Sequence, residues 1–375
     1  MNLAEIMVYT DIKVLHQIAQ HYGLTCDVHS KNELITTLLM NVKQRDTIVQ
    51  EVEQLTPSES HFLLLLFFDK RSQYSLEDLL AKGGIAVETV DVERKEGVRK
   101  LIASALKRGW IFPAKGGATG QFQVPNDLRE PYVQALLDSW KLKSPLGSRQ
   151  AETVLAYRDE GVAACDDLLQ ILRFIGNEPI PLTAEGGMYR RFQVQLLKFL
   201  TIQEEPLAPQ KWRFGYGLHF DLYPERFSLL YDYCYYQRWI HETSSQVEIT
   251  EHGFEQLKKS YNQQTYHDLI NFWMRLYKRA IPNMPMIVQV IPFMSKGKWI
   301  AQEEIEQTLL KWVKPFYYDD PISILTNRVL KMMVHLGLLK VGESATGDWL
   351  YASTDACQQW LRQYNGFVES TILLK

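Results

Sequence analysis

"VRKLIASALKRGWIFPAKGGATGQFQVP", residues 98–125, holds an amphipathic helix followed by two alternating aromatic segments on either side of a glycine-rich loop. Leu101, Ala105 and Leu106 fall at helical spacing and give the helix an inner side, with Arg99, Lys100, Lys107 and Arg108 around the outside. The segments flanking "AKGGATGQ" read as a β-hairpin. Upstream, "LTPSESHFLLLLFFDKR" offers Thr56 as an N-cap, Pro57 at the first helical position and a nearly all-apolar run that implies burial on most sides. "YSLEDLLAKGG" follows as a short helix capped by Ser75 and stopped by Gly83-Gly84. Three helices and a hairpin in that order describe a winged helix, a relative of the helix-turn-helix.

Composition sets the wider limits. A chain of 375 residues, 46% apolar and 12% aromatic, can bury several cores and should fold as two to four modules. No run of about 18 apolar residues occurs, and "MNLAEIMVYTD" carries acidic residues where a secretory signal would be basic. A cytoplasmic protein with no membrane segment is expected. Cys26, Cys165, Cys234 and Cys357 are too scattered for a zinc knuckle or a disulfide framework, so free and mostly buried thiols are expected. A net charge of −3 gives no global attraction to nucleic acid, and any such binding must come from a local patch.

At the N-terminus, Val14, Leu15, Ile18 and Ala19 form one helical stripe that Gly23 can close, and Leu34, Ile35, Leu38 and Leu39 form another. Ser30 and Glu33 read as the capping box that starts the second helix. The segment "GLTCDVHSKNELITTLL" resembles the SAP or Rho-N-terminal type of small nucleic-acid-binding module. That resemblance implies a phosphate contact for Lys31, near a helix N-terminus where backbone N–H groups also favour anions. A small helical cap with a solvated Lys31 is the competing reading.

Further along, one pattern recurs at 165–200, 226–259 and 328–361: apolar helix, extended segment, Ser or Thr, helix. In each copy the hydroxyl residue, Thr183 or Thr250 or the Ser353-Thr354 pair, is expected to cap the closing helix. "ILRFIGNEPIPLTAEGGMYRRFQVQLLKFL", followed by "IQEEPL" and preceded by "GQFQVPNDLRE", resembles the helicase-associated region of XPB-type helicase relatives of Gram-positive bacteria. The resemblance covers roughly 55–260 and more loosely the rest to 365. It implies tandem winged-helix-like units, found in that family either ahead of a helicase motor or standing alone.

No motor accompanies them here. The chain contains no G-x-x-x-x-G-K-[ST] phosphate loop, and "AKGGATGQ" lies between two strand-like segments rather than between a strand and a helix. "YYDDP" at 317–321 reads as a turn and helix cap rather than a metal-binding acidic pair. His16 and His21 are five apart without the Glu of H-E-x-x-H, and no G-x-S-x-G elbow occurs. No catalytic activity, cofactor, metal or small-molecule substrate is expected.

The binding candidates are basic. Arg94, Lys95, Arg99, Lys100, Lys107, Arg108 and Lys115 make 94–115 the most basic stretch, and Arg190-Arg191 open a helix after Thr183. In a winged helix the third helix would enter the major groove and such cations would contact phosphates; an ordinary solvated face would look the same in sequence. The aromatics of "LLYDYCYYQRWI" and "NFWMRLYKR" fall at helical spacing and read as core. The expected fold is mainly α with short β-hairpins: a SAP/Rho-N-like module at 1–50, a winged helix at 51–145, helicase-associated winged-helix-like units at 146–265 and a further one at 266–375. The expected function is a non-catalytic scaffold that binds DNA, duplex or forked, or assists a helicase in DNA repair or transcription. The alternative is an adaptor that holds a helicase or other motor without touching DNA.

Overall fold

In a computed structural model, the structure describes residues 1–25, 30–87, 91–114, 120–143, 154–208, 213–259, 263–364, 366, 372 and 374. Two compact units emerge, Met1–Arg149 with Tyr364–Phe367, and Gln150–Gln363 with Val368–Lys375. The fold is mainly helical with small antiparallel sheets.

The first unit runs α1 (Leu3–Tyr9), α2 (Ile12–His21), α3 (Lys31–Val42), α4 (Arg45–Glu53), α5 (Pro57–Phe67), β1 (Tyr74–Ser75), α6 (Leu76–Ala86), α7 (Asp91–Lys107), β2 (Phe112–Pro113), β3 (Gln121–Gln123) and α8 (Asn126–Lys143). From α5 onward this is helix, strand, helix, helix, strand, strand, with sheet order β1-β3-β2, the arrangement of a winged helix. Thr56 and Glu59 close a reciprocal capping box at the start of α5, and Ser75 and Asp78 do the same for α6. Ser30 caps α3 by accepting from the Glu33 N–H. Gly83 and Gly84 do not stop α6, which continues to Ala86. Gly83 is small for packing instead: a Cβ there would lie 2.7 Å from Val98 Cγ1, where α6 crosses α7. The N-terminal helices share this unit's core. Leu15, Ile18, Leu34 and Leu38 are fully buried, Tyr22 donates its hydroxyl to the Arg108 carbonyl, and the Leu3 N–H donates to Asp127.

The second unit runs β4 (Val154–Arg158), α9 (Ala163–Asn177), β5 (Ile180–Pro181), α10 (Arg190–Phe199), α11 (Glu225–Tyr236), β6 (Ile240–Glu242), β7 (Gln246–Ile249), α12 (Glu251–Leu257), α13 (Gln263–Tyr277), α14 (Met284–Met294), β8 (Ile300–Ala301) and α15 (Gln302–Leu309). A 3-10 turn (Leu310–Trp312), α16 (Pro321–Ser323), a π-helical stretch (Ile324–Leu330), α17 (Lys331–His335), β9 (Leu339–Ser344), β10 (Trp349–Ser353) and α18 (Asp355–Gln363) complete it. Its sheets have orders β5-β7-β6 and β4-β9-β10-β8. With β4 set aside, each repeats the order of the first sheet: first strand outside, third in the middle. The winged-helix topology therefore occurs three times, beginning at α5, α9 and α14.

The repeat seen in sequence has a different register from the real one. Residues 226–259 and 328–361 are the trailing halves of the second and third winged helices, whereas 165–200 is the leading half of the second. The hydroxyl caps follow that division. Thr250 accepts from the Gly253 N–H at 3.0 Å and Thr354 from the Cys357 N–H at 3.0 Å. Both donate back to the end of the preceding helix, Thr250 to the Arg238 carbonyl at 2.7 Å and Thr354 to the Gly337 carbonyl at 2.5 Å. Thr183 is no cap. Its N–H donates to the Gly187 carbonyl in a turn closed by the Leu182–Met188 bridge, and α10 starts later, after Tyr189.

A further repeat lies where each third helix turns into its wing. Gly109, Arg238 and Gly337 all have positive φ, of 68°, 57° and 67°. The next residue's N–H reaches back five residues in each case: Trp110 to Ala105, Trp239 to Cys234 and Leu338 to Met333, at 2.8–2.9 Å. This Schellman closure satisfies the last helical carbonyls and drops an apolar residue back into the core. The residues "RGWI", "QRWI" and "LGLL" are its signature.

Candidate nucleic-acid interface

In a winged helix the third helix is the one presented to a DNA groove. In the first unit that helix is α7, and its two sides differ sharply. Val98, Leu101, Ile102 and Ala105 are buried, while Lys95, Glu96, Arg99, Lys100, Ala103 and Lys107 are exposed. These spacings of three and four put the exposed residues on one face. Among the described residues, that face carries Lys95, Arg99, Lys100 and Lys107 against a single carboxylate, Glu96, which pairs with Lys100 at 2.7 Å. The Lys100 ammonium donates to Glu96 and draws its carboxyl below the usual range. The charges of Lys95, Arg99 and Lys107 therefore outnumber the described acids of this face.

Arg108 does not belong to this face. Its guanidinium is buried, forms a close ion pair with Glu51, lies 3.6 Å from Glu59 and stacks over Trp110. The sequence pattern placed it outside because it follows Lys107, but a residue one step further along a helix is turned by about 100°. Here that step points it at α4 and α5. Burial alone would raise Glu51, yet hydrogen bonding from His21 and the charge of Arg108 outweigh it and hold the carboxyl low. Glu59 is held low in the same way, burial being outweighed by the Ser104 and Thr56 hydrogen bonds and by Arg108. Arg108 is thus the internal clamp that fixes the orientation of α7 against α4 and α5.

The other candidates are dispersed. Lys31 is half-buried and donates to the Val8 carbonyl at 2.8 Å, so it closes the C-terminal end of α1. Arg190 and Arg191 are exposed at the start of α10, the second rather than the third helix of its winged helix; Arg190 donates to the Leu207 carbonyl and Arg191 lies over the Phe192 ring. The Arg94 side chain and Lys115 lie outside the described residues. So do Cys26 and the tip of the first wing.

The third helices of the other two winged helices are structural. In α11, Arg226 to Cys234 are buried without a break. In the 324–335 segment, Ile324, Leu325, Arg328 to Leu330 and Met332 to His335 are buried. Glu225 at the start of α11 accepts from Arg213, Arg328 and Lys331 at 3.0, 3.2 and 2.6 Å, which ties the two helices to each other. Deeper in, Arg226 is 1% exposed and contacts Asp167 at 2.7 Å and Glu160 at 3.3 Å; Glu160 also meets His335 at 3.0 Å. Burial would raise Glu160, but His335, Arg226 and Arg158 together hold it below its ordinary value. Among the described residues, α11 exposes Tyr236 alone and the 324–335 segment exposes Asn327 and Lys331, the latter paired with Glu225, so neither presents a basic face like that of α7.

The aromatic helices are core, with Tyr231, Tyr233, Trp239, Phe272, Trp273 and Tyr277 all buried. Cys165, Cys234 and Cys357 are free and buried, and burial pushes the Cys165 thiol up to about 12, away from nucleophilic chemistry. Asp320 accepts from the Ile322 and Ser323 N–H groups at 2.9 Å, so "YYDDP" is a turn and a cap. Among the described residues no helix is long and apolar enough to cross a membrane, and no His, Cys, Asp and Glu group could hold a metal ion. No protein-family model and no curated protein matches the chain.

Proposed function

We propose that this chain is a non-catalytic DNA-binding scaffold, of the helicase-accessory kind that its resemblance suggests, and that α7 is its duplex-gripping element. One observation carries the reading. Of the three winged helices, among the described residues, the first alone turns a solvent-exposed basic face outward from its third helix. At 17 residues α7 is about 25 Å long, and a B-DNA major groove admits a helix of its diameter. Lys95, Arg99, Lys100 and Lys107 would meet phosphates, which gives affinity and salt dependence with little choice of sequence. The second unit, with its third helices locked inward, would add no groove-reading helix of its own.

A second reading, the adaptor that holds a helicase or other motor without contacting DNA, is favoured by a different feature. A groove of about 500 Å³ lies between α4 and α8, with Ile48, Val49, Pro131 and Ala135 supplying apolar walls and Lys43, Arg45, Glu53 and Asp138 supplying charges of both signs. The two readings part in one experiment. Anisotropy of labelled duplex DNA across a salt series should give a linear log–log plot. Changing Lys95, Arg99, Lys100 and Lys107 to Ala should make its slope shallower by about 0.9 for each phosphate no longer neutralised. No binding at low salt would overturn the DNA reading and leave the adaptor.

A further inference from the structure

Three residues of the first unit work against the helices that carry them, and all three line one groove. α4 opens with Arg45 and closes with Glu53, both exposed. The helix macrodipole favours acids in the first turn and bases in the last, so each of these charges sits at the end that opposes it. Asp46 suits the dipole but lies outside the walls of the groove, and the last turn of α4 contains no base. On α8, Pro131 is exposed inside the helix, where it removes a backbone N–H from the hydrogen-bond ladder. Arg45, Glu53 and Pro131 meet in the groove of about 500 Å³ between α4 and α8. Local choices that disfavour their own elements and share one opening point to a use outside the fold.

The groove has a direction. Lys43 Nζ pairs with Asp127 at 2.7 Å, which sets the start of α4 beside the start of α8. Arg45 lies at that end, and Glu53 is eight residues further on, about 12 Å along the axis. Arg45, Val49 and Glu53 are spaced by four and share one face of α4. Between the two charges, Val49 is exposed and Ile48 is buried at the floor, with Pro131 and Ala135 on the α8 wall. Asp127 neutralises Lys43, and Asp138 accepts from Gln134 Nε2 at 2.8 Å. Among the described residues, the side chains of Arg45 and Glu53 make no such pair, so they are the cation and the carboxylate that the groove offers.

An apolar strip with a cation at one end and a carboxylate at the other complements an amphipathic helix laid in the groove. A helix that suits its own dipole carries acids in its first turn and bases in its last. Parallel to α4, such a helix meets Arg45 with its acids and Glu53 with its bases; antiparallel, both ends repel. A second copy fits less well. Two α4 helices match charges only when antiparallel across a two-fold axis, which sets groove over groove and leaves both unfilled. We infer that the α4–α8 groove is a docking site for an amphipathic helix of a partner protein, acidic in its first turn, basic in its last and parallel to α4. This deepens the adaptor reading and rests on it for the claim that a protein occupies the groove, but it is independent of what α7 does.

The test uses the full chain and two labelled, stapled three-turn peptides of one composition, with Leu at positions three and four apart. One carries Glu in its first turn and Lys in its last; the other exchanges them. The first should bind about fivefold or more tighter by anisotropy, since two ion pairs replace two repulsions. Arg45→Glu with Glu53→Lys should invert that order and raise the unfolding temperature, because each charge then suits the dipole of α4. Val49→Asp should weaken both peptides. Equal binding of the two peptides, lost in Val49→Asp, keeps a protein in the groove and overturns the charge-ordered helix. Peptide binding indifferent to Val49→Asp lies elsewhere and overturns the site, as does an exchange that lowers the unfolding temperature. Self-association abolished by the exchange makes a second copy the occupant and overturns the partner helix. Binding of neither peptide overturns the groove and the adaptor reading together, while the duplex assay on the same variants reports on α7 separately.

Discussion

Removing the Arg108 guanidinium would leave Glu51 and Glu59 partly buried with one fewer cation between them. Breaking a buried pair from one side costs about 3–5 kcal/mol because the remaining charge stays desolvated. His21 still lies 3.0 Å from Glu51 and Ser104 2.6 Å from Glu59, so the lower part of that range is expected for Arg108→Met. Denaturant unfolding of the variant should show it. Lys107→Ala, one residue earlier and exposed, should shift stability by no more than about 0.5 kcal/mol. The same pair of variants should invert in DNA binding, where Lys107 contributes and Arg108 acts only by holding α7 in place. Arg108→Met that retained full stability would show that the clamp is not what orients the helix.

At the scale of elements, the joint between wing and closing helix is built from one threonine in the second and third winged helices. Thr250→Ala and Thr354→Ala each remove an N-cap acceptor and the hydroxyl bond back to the preceding helix. Each should lower stability by about 1–2 kcal/mol. The Thr354 change should be the larger, because that residue is buried whereas Thr250 is half-exposed. Thr183→Ala should cost less than either, since no helix starts on its side chain. Thermal unfolding of the three variants side by side would check the ranking, and equal destabilisation would contradict the assignment of Thr183 to a turn. The first winged helix is joined differently: Asn126 at the start of α8 donates its N–H to the Met1 carbonyl, so the N-terminal segment takes over part of the joint.

Across the whole molecule, pH acts on buried carboxylates in opposite directions. Glu160, Glu225 and Glu242 are held below their ordinary values despite burial, by His335 and arginines, by Lys331 and arginines, and by His219 and Tyr231. Their contribution is present above the unfolded carboxylate value and is lost as pH falls through the depressed ones. Asp232 runs the other way. Burial pushes it up to about 7, only partly opposed by the Leu218 N–H and His219. Between the unfolded value of about 3.9 and about 7, the folded chain keeps a proton that the unfolded chain has released, so this residue lowers stability as pH rises through that interval. Asp232→Asn should therefore unfold at a higher temperature than the parent at about pH 8, with the difference shrinking toward about pH 4.5. A difference that grew with acidity would contradict a raised Asp232.

The sequence by itself determined the elements whose causes are local. The capping pairs Thr56 with Glu59 and Ser75 with Asp78, the all-apolar run of α5, the alternating strands of the first wing and the Asp320 cap all follow from side chains acting on their own backbone within a few residues. The mainly helical fold with short hairpins was legible for that reason. So was the basic character of α7, though not which of its cations are available, since Lys107 and Arg108 look alike until α4 and α5 supply Glu51 and Glu59. Only the tertiary structure decided what depends on partners distant in the chain. It showed Gly83 as a crossing point rather than a stop, Thr183 as a turn residue, and two of three third helices locked inward by Arg226, Arg328 and Glu225. Local hydrogen bonding and periodicity are written in neighbouring residues; burial, charge pairing and exposure are settled only when remote segments meet.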